Sequence, residues 1–160
     1  MSWALSLWAG VAVLGFAMVF SVPRRTLPGI VALAIAAHLV RTLGLDLGAA
    51  LPLASFGAAL LVGFTAAVVA PRANQATPIY AFAPVIPLIP GAYMFDALTG
   101  MLELTSGREP NPSAIIDAAV INGTIATLTV IALAVGAITP TLLVGRHLAR
   151  MVSPGPSEGE

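Results

Sequence analysis

From Trp3 to Val22 the chain runs 20 residues without a charged side chain, and comparable runs recur almost to its far end. At 1.5 Å per helical residue, 20 residues cover about 30 Å, the thickness of a bilayer's hydrocarbon core. Lipid offers no hydrogen-bond partner, so a crossing backbone has to satisfy its own amides and carbonyls, which a helix does. Composition points the same way: of 160 residues 58% are hydrophobic and 9% are charged, whereas a soluble domain carries about a quarter charged residues. The chain reads as an all-α integral membrane protein.

Five segments qualify as spans: Trp3 to Val22, Pro28 to Leu45, Ala49 to Ala70, Pro78 to Leu102 and Ile115 to Val144. The first lacks a basic leader, and Arg24 and Arg25 stand where a cleavage site would follow, so it reads as a retained anchor. The second is the doubtful one, because His38 and Arg41 interrupt it. Charge bias decides. If it crosses, Arg24, Arg25, Arg72, Arg146 and Arg150 share one side and only Arg41 and Arg108 the other, five against two; if not, the split is four against three. Arginine excess marks the cytoplasmic face. The expectation is therefore a bundle of about five transmembrane helices, with the N-terminus outside and the C-terminus cytoplasmic. Residues 1–145 form the membrane domain, and 146–160 a cytoplasmic tail whose Pro, Gly, Ser and Glu content from Ser153 onward reads as disorder.

Several functions are excluded by what is missing. There is no Cys, hence no thiolate metal site or cysteine nucleophile, and no GxxxxGK[ST], HExxH or GxSxG motif. No catalytic residue, metal or cofactor is expected, so the chain is not read as an enzyme. Seven arginines balanced by seven acids, with no basic run, leave no footprint for nucleic acid.

The informative segment is Ala83-Pro84-Val85-Ile86-Pro87-Leu88-Ile89-Pro90-Gly91, a PxxPxxPG motif inside the fourth span. Each Pro removes an amide and clashes with the carbonyl four residues back, here those of Tyr80, Ala83 and Ile86. Ala83, Ile86 and Ile89, each preceding a Pro, are biased toward extended backbone. At about 3 kcal/mol per interior Pro, a broken helix is expected to win, near the middle of the span. A helix restarting at Gly91 would present unpaired amides and a partial positive charge suited to a carboxylate. The dipole supplies about 0.3–2 kcal/mol, less than the cost of desolvating the carboxylate, so a cation is needed as well. The alternative is that the prolines merely kink a packed helix.

Candidate substrate-binding residues follow: Pro87, Pro90 and Gly91 at the break, His38 and Arg41 on one helical face, Asp96 past the break, and Asn122 in the fifth span. Arg41 would meet the carboxylate and His38 relay a proton. The plainer readings are that Arg41 snorkels to the interface, that Asp96 pairs with Arg41 or is simply exposed, and that Asn122, with Thr124 and Thr127, hydrogen-bonds between helices. Asp117 is expected to stabilise the first turn of the fifth helix. Ser55, Ala59, Gly63 and Ala67 form a small-residue packing stripe whose opposing helix is open.

Gly15-Phe16-Ala17-Met18-Val19-Phe20-Ser21-Val22-Pro23, the His38 and Arg41 pair, and Pro84 to Gly91 resemble the YjjB-like half of the threonine/serine exporter (ThrE) family, over about Gly15 to Pro140. That family comes as one long chain or as a larger YjjP-like subunit with a small YjjB-like one, and this length is similar to the small one. The resemblance implies export of small carboxylates across the bacterial inner membrane: threonine and serine for ThrE, succinate for the split pair. The implied partners are the lipid bilayer, a larger YjjP-like membrane subunit and a small carboxylate substrate, with a homo-oligomer as an open alternative. A second function is a non-transporting scaffold that stabilises the larger subunit. Family members often carry Tyr four residues after the motif's Gly; here Phe95 stands there, with Tyr93 and Asp96 beside it.

Overall fold

The computed structural model describes residues 3–19, 23–72, 77–106 and 111–152. It is helical throughout, with no strand among the described residues: α1 (Trp3–Val19), α2 (Leu27–Asp46), α3 (Leu51–Arg72), α4 (Thr77–Phe82), a 3-10 segment (Ala83–Leu88), α5 (Gly91–Ser106) and α6 (Pro112–Val152). Among the described residues three helices are long and apolar enough to cross a membrane: α2, α3 and Pro112–Pro140 of α6. The count rises to four if Tyr80–Leu88 and Gly91–Ser106, bent by 54° at their junction, form one broken span. α1, at 17 described residues, falls short of that length. The first expected span also included residues 20–22, which lie outside the described set, as do Arg108, Glu109 and the segment 153–160 read as disordered. α6 itself continues to Val152, beyond the boundary placed at 145.

α3 is the central helix: 50% of its most apolar stretch is buried, against 22% for α2 and for α6. The stripe Ser55, Ala59, Gly63 and Ala67 is buried, and its opposing helix is α6 of the same chain. A Cβ on Gly63 would lie 2.5 Å from the Ala137 carbonyl oxygen, and one on Gly136 would lie 2.8 Å from the Ala59 Cβ. Only residues without a side chain let the two backbones approach this closely. Two buried cores are found among the described residues, one of Val13, Ile30, Ala66, Ala70 and Tyr80, the other built around the crossing residues Ala59 and Ala137 with Leu33, Ala37, Val62, Leu88 and Leu133. Large apolar side chains such as Met18, Phe64, Phe95, Leu98 and Ile131 face outward, a surface suited to lipid and costly in water.

Two polar expectations on α6 are corrected. Its start is set by Asn111 and Pro112, not by Asp117. The Asn111 Oδ1 accepts from the Ala114 amide at 3.5 Å and from the Ser113 hydroxyl at 2.9 Å, and Pro112 fits the first turn, where no amide partner is needed. Among the described residues Thr124 and Thr127 do not bridge helices; their hydroxyls donate to the Val120 and Gly123 carbonyls one turn back, at 2.7 and 2.8 Å.

Candidate functional site at the broken helix

The proline segment resolves its conflict with the helix by tightening before it breaks. Ala83 and Ile86, expected to be extended, lie inside the 3-10 segment. Pro84 sits in its first turn, where a missing amide costs nothing, and i to i+3 pairing gives the Ile86 carbonyl the Ile89 amide at 3.1 Å. Only Ile89 is extended, at φ −61 and ψ 130, as the residue before Pro90 prefers. The chain restarts there: the Gly91 amide donates to the Ile89 carbonyl at 2.8 Å, and the Met94 amide to the Pro90 carbonyl at 3.1 Å. Ala92 and Tyr93 follow in the first turn of α5, where amides have no carbonyl one turn back to receive them.

The carbonyl of Leu88, last in the 3-10 segment, is met by a cation. Arg41 reaches from α2 and donates from Nη1 at 2.6 Å. A charge-assisted bond of this kind contributes about 1.5–3 kcal/mol. Arg41 therefore points into the bundle and does not snorkel outward. It is the fifteenth of the 20 residues of α2, so the break lies beside the last third of that helix, while within its own segment, Thr77–Ser106, it falls near the middle, as expected. Among the described residues no carboxylate forms an ion pair with Arg41. A guanidinium has five donors, and the bond to Leu88 uses one of them.

One turn before Arg41 lies His38. The Thr42 hydroxyl donates to the His38 carbonyl at 2.9 Å and stands 3.5 Å from Nδ1 of the ring. These side chains open on a cavity of about 470 Å³ lined by His38, Arg41, Thr42, Asp46, Pro87, Pro90, Gly91 and Tyr93, among others. That volume lies within the 300–1,000 Å³ typical of small-molecule sites. A Cβ on Gly91 would meet nothing within 4 Å, so the glycine borders open space.

Five of the seven expected site residues, His38, Arg41, Pro87, Pro90 and Gly91, thus converge on one cavity. Asp96 and Asn122 do not line it. Asp96 is exposed on α5, and of the two readings left open for it, exposure holds and pairing with Arg41 does not. At five residues past Gly91 it is well over one turn from the break. Asn122 is half-buried on α6, in the α5–α6 half of the molecule. Sequence reasoning missed Thr42, Asp46 and Tyr93. Thr42 was legible as the i+4 neighbour of His38, whereas Asp46 enters only because the break sits near the end of α2. A second cavity of about 450 Å³, lined by Met94, Ala97, Met101, Gly123, Ala126 and Ile131 among others, is apolar and carries no charge.

No solved structure matches the chain. An uncharacterized protein of Haemophilus influenzae is 32% identical over 98 residues, 61% of this chain and 33% of the relative. The chain thus spans about a third of the length of that curated relative. The family described as Threonine/Serine exporter, ThrE, matches residues 5–143. With most of its length matched, the chain belongs to the threonine/serine exporter (ThrE) family.

Proposed function

We propose that this membrane protein is one subunit of a secondary exporter that moves a small carboxylate, threonine or serine or a succinate-type dicarboxylate, across the bacterial inner membrane. The observation that carries this reading is the Arg41 guanidinium, held 2.6 Å from the Leu88 carbonyl at the wall of a cavity that also takes in the start of α5. A carboxylate entering there meets the cation that the helix dipole alone lacks. Pro87, Pro90 and Gly91 shape the opening, His38 supplies a proton relay, and Asp96 and Asn122 contribute later in the substrate's path. In the proposed topology α1, α2, α3, the bent α4–α5 unit and α6 make five crossings, with the N-terminus outside and the C-terminus cytoplasmic. Residues 1–145 form the membrane domain and the remainder faces the cytoplasm. A larger YjjP-like subunit completes the pathway, in keeping with a relative of which this chain covers 33%.

The test fills the cavity without disturbing the core. Gly91→Leu adds a side chain where a Cβ has no neighbour within 4 Å, so the protein should reach the membrane at normal levels while efflux of both threonine and succinate falls at least tenfold (about 1.4 kcal/mol). Unchanged efflux of both rejects the reading. The second reading, a non-transporting scaffold for the larger subunit, draws on the outward apolar faces of α5 and α6, where Leu98, Met101 and Ile131 are exposed. On that reading, substitutions at His38 and Arg41 lower the amount of assembled complex and leave flux per complex unchanged.

A further inference from the structure

The cavity at the break has two electrical poles. One is positive: Arg41 and the amino-terminal turn of α5 face it together. The other is negative: Asp46, the last residue of α2, lines the same cavity. Asp46 lies five residues beyond Arg41, about 7.5 Å along the helix and about 140° around it, so the two charges flank the space without meeting. Among the described residues neither takes part in an ion pair.

The position of Asp46 is locally unfavourable. A helix carboxyl terminus carries partial negative charge and prefers a cation, yet the last turn of α2 holds no basic residue and ends on an acid. The turn that follows is well made without that carboxylate. The Gly48 and Ala49 amides donate to the Leu45 and Gly44 carbonyls at 2.9 Å each, and Gly48 takes φ 84, which glycine adopts without strain. Asp46 is exposed at the mouth of the cavity, capping does not account for its acid, and a cationic group entering the cavity would meet it.

Resting on the carboxylate-exporter reading above, we infer that Asp46 is the residue that selects a zwitterionic amino acid over a dicarboxylate, by taking the substrate's ammonium while Arg41 takes its carboxylate. An α-amino acid carries both charges on one carbon and matches both poles at once. A dicarboxylate entering by one end at Arg41 brings its second anion toward Asp46, where like charges repel. The role of an acid beside the site, which the sequence alone would assign to Asp96, belongs to Asp46 because Asp96 does not line the cavity.

The experiment compares efflux of threonine, of 3-hydroxybutyrate, which is threonine without its amine, and of succinate. It uses cells that produce the full chain together with the protein encoded beside it, with flux normalised to the amount in the membrane. The unaltered protein should favour threonine over both others. Asp46→Asn should lower that preference roughly tenfold, as expected when one attractive and one repulsive pairing are removed together, and Asp46→Glu should retain it. An Asp46→Asn protein that still transports with its preference unchanged overturns the inference, as does an Asp46→Glu protein that loses the preference as fully as the Asn variant. Absence of all three fluxes in the unaltered protein overturns the exporter reading itself, a distinct outcome. If Asp46→Asn fails to reach the membrane, Asp46→Ser is read by the same criteria.

Discussion

The α3–α6 crossing and the break beside α2 are built from the same kinds of residue, Gly, Pro and Ala, to opposite ends. At the crossing, Gly63 and Gly136 remove side chains so that two backbones touch, and Pro140 is fully buried against Gly63. At the break, Pro87 and Pro90 remove helical hydrogen bonds and Gly91 leaves open space beside the chain, so that backbone groups face a cavity. The difference lies in the partner. A glycine opposite a helix becomes a packing contact, while a glycine with no neighbour within 4 Å becomes the edge of a space. The first region holds the bundle together, and the second leaves polar backbone inside a bundle that otherwise hides it.

The largest effect is expected from breaking the crossing. Gly63→Ala puts a Cβ 2.5 Å from a backbone oxygen that cannot swing away, at or above the upper end of the 1–3 kcal/mol cost of overpacking, about 3 kcal/mol. Thermal unfolding of the detergent-solubilised protein measures it. Gly57→Ala on the same helix meets nothing within 4 Å and should stabilise by about 0.5–1 kcal/mol through helix propensity. Equal behaviour of the two glycines would erase the contrast drawn here.

Next in size is the polar side of the comparison. Arg41→Gln removes the charge that meets the Leu88 carbonyl, and should reduce carboxylate efflux by at least about tenfold, with Arg41→Lys restoring only part of it because an ammonium cannot hold a carbonyl and a carboxylate in one planar fork. Efflux per membrane-inserted molecule is the quantity to measure, since a merely structural Arg41 would change the amount of protein and not its rate. The smallest effect belongs to Ser55, whose Oγ is fully buried with no partner among the described residues. Ser55→Ala should leave melting unchanged or raise stability by up to about 1 kcal/mol, because the hydroxyl's desolvation is uncompensated.

How far the sequence spoke depended on range. The α2 and α3 spans were legible from hydropathy to within two residues at each end, since lipid solubility is written in consecutive side chains. The convergence of His38 and Arg41 with Pro87, Pro90 and Gly91 was also legible, because buried polar groups in a membrane have few places to go. What stayed hidden was long-range geometry. That the Leu88 carbonyl accepts from Arg41 depends on how the 3-10 segment lies against α2, which no local pattern encodes. Asp96 looked close to the site by chain position, yet α5 departs from the break at a 54° bend and leaves it outside. Asp46, one residue beyond the expected second span, lines the cavity. The small-residue stripe announced a helix contact, but only the fold names Gly136 and Ala137 of α6 as its partner.

The central claim is that a carboxylate substrate occupies the cavity where Arg41 meets the broken helix. The chain contains no cysteine, so Ala92→Cys places a single thiol in the lining of that cavity. Its rate of modification by a water-soluble maleimide, with and without saturating threonine or succinate, reports occupancy directly. The account predicts that at least one of the two slows labelling several-fold, and that Arg41→Gln abolishes the protection. Labelling indifferent to both, or protection that survives the loss of Arg41, would contradict it.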